Sequence, residues 1–148
     1  MFFMKSAIFN GPDVQYLQKR LLRNQSDIGN FLGSFPGVGT HKSHALTFAL
    51  QEHIRLAAAA IVSGGAQDQV QEFLRQGNEV AACVTALNPN KLHINMTRKA
   101  FRAHNKHVLK LATILMKSEF RKETRAYDEY FEHMLEVADA IFFALHTS

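Results

Sequence analysis

Three histidines stand where polar groups are costly. His53, His104 and His133 lie in three separate stretches whose apolar residues recur with the period of a helix. On a helical wheel His53 falls between Leu46, Ala57 and Ala60, inside the apolar arc, with Glu52 about a quarter turn away at its border. His104 lies amid Phe101, Val108, Leu111 and Leu115, with His107 at the edge of that arc. His133 is on a flank near Val137 and Ala144, with Glu129 one turn earlier. Two further stretches carry amides on their apolar faces: Gln25 between Val14, Leu21, Ile28 and Leu32, and Asn78 beside Leu74, Ala81 and Thr85. Neutral imidazoles near a carboxylate are what a divalent transition ion such as zinc or iron takes as ligands. The same groups suit acid–base work.

A lone histidine on an apolar face is most often a core residue whose nitrogens are satisfied. Here several helices each bring an inward polar group. An unsatisfied one costs about 1–3 kcal/mol, so a set of them is tolerable when its members satisfy one another or share a ligand. No motif names the chemistry. The paired Glu-x-x-His of di-metal bundles is missing, because "QEH" and "FEH" put Glu directly beside His. The zinc-protease H-E-x-x-H, a phosphate loop, a cysteine cluster and a nucleophile elbow are also missing. Whether the protein is an enzyme stays open at this level.

The elements that must position these groups are helices. The chain has 148 residues, 47 % of them apolar, which fits one domain with a sizeable core. "GPDVQYLQKRLLRNQSDIGNFLG" opens with Pro12 and Asp13 as start signals and closes at Gly33. "SFPGVGTHKSH" is Gly- and Pro-rich and predicts a loop, with Thr40 or Ser43 as the N-cap of a second helix that runs to about Ser63. Further helices are predicted over about Gln67–Leu87, Thr97–Lys117 and Phe120–Leu145. Short connections between long amphipathic helices favour antiparallel neighbours. The fold class is therefore all-α, an up-and-down bundle of four to five helices over residues 13–148, with residues 1–12 as an N-terminal extension that docks on the domain or on a neighbour. The second and third helices, and the fourth and fifth, form hairpins that weakly echo each other, with His53 and His104 in similar places. Met134, Phe131, Phe142 and Phe143 read as core of the last helix.

Compartment and surface follow from composition. The single cysteine, Cys83, allows no intramolecular disulfide and falls on the outer half of its helix, where it reads as an inert thiol. The short apolar start is interrupted by Lys5, unlike a secretory signal, and no uninterrupted apolar run approaches the roughly 18 residues of a membrane span. The expectation is a cytoplasmic protein. Net charge is +4, yet residues 98–125 alone carry +7 and the rest −3. Lys99, Arg102, Lys106, Lys110 and Lys117 line one face of the fourth predicted helix, opposite its apolar arc. Such a face is usually solvated, but it is also where an acidic partner would dock. Nucleic acid fits it poorly, because no aromatic interleaves with the charges and Phe101 points inward.

The stretches "RNQSDIGNFLG", "LQEHI", "GNEVAACVTALNP", "AH" and "YDEYFEHMLEVADAI" resemble a family of small all-helical bacterial proteins. That family has an Asn-Gln-x-Asp-Ile-Gly-Asn helix, a Glu-His-Ile helix and an Asn-bearing helix that ends in Asn-Pro. The resemblance covers about residues 14–145 and implies a fold rather than an activity. It marks Asn24, Gln25, Asp27, Glu52, His53, Asn78, His104, Asp128 and His133. Ala103 stands where the family pattern has an acidic residue, and the loop after Asn-Pro is basic and lacks the family's aromatic. Wheel and resemblance together suggest an interior polar pocket that takes a metal ion, zinc or iron, or a small ligand. His53, His104, His133 and Glu52 would touch it, and Gln25, Asp27, Asn78 and Asp128 would orient them. The alternative is a non-enzymatic interaction module, self-associating or docking a protein partner through its basic face or apolar N-terminus.

Overall fold

The computed structural model describes residues 1–146, and among these every regular element is a helix. The helices are α1 (Phe2–Ile8), α2 (Val14–Gly33), α3 (Gly39–Val62), α4 (Gln67–Leu87), α5 (Ile94–Met116) and α6 (Phe120–His146). Each long helix packs mainly on the next in sequence. The connections are too short for anything but a reversal of direction, so the five form a bundle. Helix α3 sits between α2 and α4 and has the length and apolar composition of a membrane-crossing segment. Its inner positions Leu46, Ala49, Ala58, Ala60 and Ile61 are buried against protein.

The helix count is six, not four to five. Residues 1–12 are not a bare extension: they contain α1, which packs on α2, α3 and α5. Phe3 and Ser6 turn inward, and Lys5 reaches the nearly buried Glu123 of α6 at 2.6 Å. The Ser6 hydroxyl donates to Asp13 Oδ1 at 2.5 Å, and Gly11 N–H donates to the Ser6 carbonyl at 2.7 Å, so the turn into α2 is fastened twice. Met1, Met4 and Ile8 cover the cluster of Leu111, Ile114, Leu115 and Ala126.

The predicted loop 34–44 is shorter than its composition suggests, because α3 already begins at Gly39. Gly37 and Gly39 take φ +81° and +74°, which lets a five-residue turn do the work. Neither Thr40 nor Ser43 caps α3; Val38 holds that position without a side-chain bond. Ser43 is used for packing instead. Its hydroxyl donates to the Gly29 carbonyl at 2.8 Å, and it leans on Gly33. Thr47 fills the space where a Gly29 side chain would sit, so α2 approaches α3 backbone to side chain.

Helix α6 is held differently. It packs along α5 and is tied near its end where Asn88 Nδ2 donates to the Ala144 carbonyl at 2.8 Å. Phe131, Phe142 and Phe143, expected in the core, are 50 %, 40 % and 61 % exposed, because α6 has no second helix packed fully on its far side. An edge-to-face chain of Phe31, Phe35 and Phe142 bridges α2 and α6 at one end. Between the two helices a cleft remains.

Gly29→Ala puts a methyl into Thr47 Oγ1, 3.1 Å from Thr47 Cβ and 3.3 Å from the Ser43 carbonyl. The expected loss of stability is about 1–3 kcal/mol, read by urea denaturation. Thr47→Ala in the same background restores part of it; a Gly29→Ala variant as stable as the parent would contradict this packing.

Candidate ligand cavity at His53 and His104

The cleft leads into a cavity of about 390 Å³ between α2, α3, α5 and α6, with Val84 of α4 also on its wall. Leu21, Ile28, Leu46, Leu50, Val84, Phe101 and Ile141 supply apolar walls. Asn24, Gln25, His53, His104 and Tyr130 supply the polar groups, and Met134 supplies a thioether. Four helices thus converge where the wheel placed polar residues on apolar faces.

His53 is 3 % exposed. Its ring stacks on Phe73 of α4 at 4.6 Å between centroids and stands 5.7 Å from the His104 ring of α5. Both His53 nitrogens are buried and neither has a protein hydrogen-bond partner. Burial pushes its pKa down to about 4; the neighbouring Asn105 amide opposes this weakly and stands without a bond of good geometry. His104 places Nδ1 3.0 Å from the Met134 sulfur of α6, and its ring lies 5.6 Å from Tyr130 and 6.0 Å from Phe101. Part of its surface lines the cavity, yet desolvation first, and the nearby rings of His53, His133 and His107 second, push its pKa down to about 3. Both rings are therefore neutral at pH 7.

The other predicted residues fall in several places. Gln25 is buried and lines the cavity, although its amide donates back to the Leu21 carbonyl at 3.1 Å. His133 does not join His53. Its Nε2 meets the Ala100 carbonyl at 3.1 Å, and its ring stacks on His107 at 5.3 Å, so the interior holds two histidine pairs rather than one trio. Glu52 turns outward to Arg55 at 3.2 Å. Asp27 and Asp128 are exposed, and the half-buried Asn78 lies outside the cavity lining. A charged carboxylate keeps its hydration at the surface, which is why the acids left the site, whereas Gln25, His53 and His104 stayed. Among the described residues no three His, Cys, Asp or Glu side chains are grouped as a metal site would need. Cys83 is half-buried rather than outward, and burial first, Glu79 second, pushes its thiol pKa up, in keeping with low reactivity.

Three participants escaped the sequence reading: Tyr130, Asn105 and Met134. Asn105 is 1 % exposed, with Oδ1 unpartnered, and packs over Gly77, where a side chain would collide with it. Its signal was available: it lies four residues after Phe101 and three before Val108, in the middle of the buried stripe of α5. Met134 had no polar signal at all. No known family model, curated protein or solved structure matches the chain.

The two depressed pKa values fix the sign of the acid response. Above the unfolded histidine value of about 6.5 neither state is protonated and the rings add no pH dependence. Below it the unfolded chain binds protons that the folded chain refuses, down to about 4 for His53 and about 3 for His104. Stability should fall by up to about 1.4 kcal/mol per pH unit for each ring between pH 6 and 5. Urea denaturation across that window should show a shallower slope in His53→Leu than in the parent; equal slopes would sink the assignment.

Proposed function

We propose that this protein binds a small ligand or ion inside the cavity, and that His53 and His104 are the side chains that touch it. The observation that carries the reading is a pair of imidazoles, His53 and His104, 5.7 Å apart on the wall of an otherwise largely apolar 390 Å³ space. A buried polar group without a partner costs about 1–3 kcal/mol, and a bound ligand is the simplest source of the missing partner. The apolar walls suit a hydrophobic body, and the two imidazoles suit an ion that they would coordinate. Gln25 and Tyr130 stand at the same cavity and would set orientation.

A second reading has its own support. Lys99, Arg102, Lys106 and Lys117 are exposed on α5 and form no ion pair among the described residues, whereas Lys110 pairs with Glu129. An acidic protein partner, or a second copy, would meet uncompensated charge there. Light scattering at low and high salt tests it: a complex that dissociates as salt rises supports docking through this face, and a salt-independent monomer with no added partner bound removes it.

The cavity reading is tested with the apolar fluorophore N-phenyl-1-naphthylamine. Its emission should rise on binding with saturable, single-site behaviour. Ala138→Trp, at an exposed rim position of the cavity, should weaken the probe about tenfold, or about 1.4 kcal/mol, without changing helix content. No saturable binding, or binding indifferent to Ala138→Trp, would overturn the proposal.

A further inference from the structure

We infer that the cavity floor is a site for Cu(I), held by His53, the Nδ1 of His104 and the Sδ of Met134. The inference rests on the cavity being the binding site and names what the site holds. Three helices supply the three donors: α3, α5 and α6.

Geometry is the first argument. An ion about 2.0 Å from a nitrogen of each of two imidazoles places their ring centroids about 5–6 Å apart, and those of His53 and His104 are 5.7 Å apart. Nδ1 of His104 and Sδ of Met134 are 3.0 Å apart. Bonds of about 2.0 Å to nitrogen and about 2.3 Å to sulfur at a trigonal angle need roughly 3.7 Å, so the pair opens by about 0.7 Å. Met has three rotatable bonds to absorb that shift. The Asn105 amide beside His53 makes no bond of good geometry to it, so binding costs little there.

Ligand chemistry is the second argument. Thioether sulfur is a soft donor and selects Cu(I) over zinc, iron or magnesium. No carboxylate joins the two rings; the nearest one in sequence, Glu52, is engaged with Arg55 at the surface. All three donors are neutral, so the bound ion keeps its full charge inside an apolar wall. The cost of enclosing charge rises with its square, about fourfold from a monovalent to a divalent ion. A monovalent ion is thus the one this donor set and this wall tolerate.

The test uses the full chain carrying Cys83→Ala, which removes its only thiol. Cu(I) is titrated anaerobically against the chromophoric chelator bathocuproine disulfonate. One equivalent should be withdrawn from the chelator. Met134→Leu, which conserves volume, should weaken Cu(I) about tenfold or more and remove the sulfur shell from the copper X-ray absorption spectrum. Met116→Leu, at an exposed methionine, should change neither. Failure to compete with the chelator, affinity untouched by Met134→Leu, or tighter retention of Zn(II) or Fe(II) than of Cu(I) overturns the inference. If the fluorophore still binds and Ala138→Trp still excludes it, copper falls and the cavity stands; if the fluorophore also fails, both fall together.

Discussion

Everything about the interior of this bundle depends on the price of removing an imidazole from water. A histidine enclosed by leucine, phenylalanine and valine gives up its proton before it gives up its burial, and His53 and His104 have both done so. Neutrality solves only half the difficulty. A neutral ring still has one donor and one acceptor, and those of His53 meet no protein group. Its stack on Phe73 contributes contact area but no hydrogen bond. The fold tolerates this beside the cavity, where the helices leave room, and it tolerates a buried, partnerless Nδ1 on His107 as well.

That room follows from unequal packing. Glycines at 29 and 33 let α2 close tightly on α3, with Ser43 and Thr47 filling the seam. Helix α6 has no equivalent device toward α2. It follows α5, is anchored by Asn88 at its end and by Lys5 at its beginning, and stands off elsewhere. One side of α6 is therefore left with exposed phenylalanines and a cleft whose floor carries the two rings. The second pair, His107 and His133, lies across the α5–α6 contact, where His133 already uses the Ala100 carbonyl, and neither ring lines the cavity.

Much of this was legible in the amino acids. The 3.6-residue period defined the five long helices, and α4 begins and ends at the residues its pattern predicted. The same period put Gln25, His53 and His104 on inward faces, and all three line the cavity. Composition misled at 34–44, where glycines marked a tight turn rather than a long loop; at 1–12 it pointed to docking of a short apolar stretch but not to its helix. A pattern of seven residues is too short to announce a helix that only tertiary contacts stabilise.

A helical wheel reports the direction of a side chain about its own axis and nothing about the axis of another helix. Sequence alone therefore placed Gln25, His53 and His104 on inward faces but passed over the buried Asn105. Distances between helices decided the rest: that His53 meets His104 and not His133, that Glu52 escapes to Arg55, and that Asn105 settles over Gly77. They also brought the Met134 sulfur to His104 from a helix more than twenty residues further along the chain. The physical reason is one of range. Burial pattern is a local property of consecutive residues, whereas a ligand site is a set of contacts between residues far apart in sequence, fixed only when packing sets the spacing and rotation of whole helices.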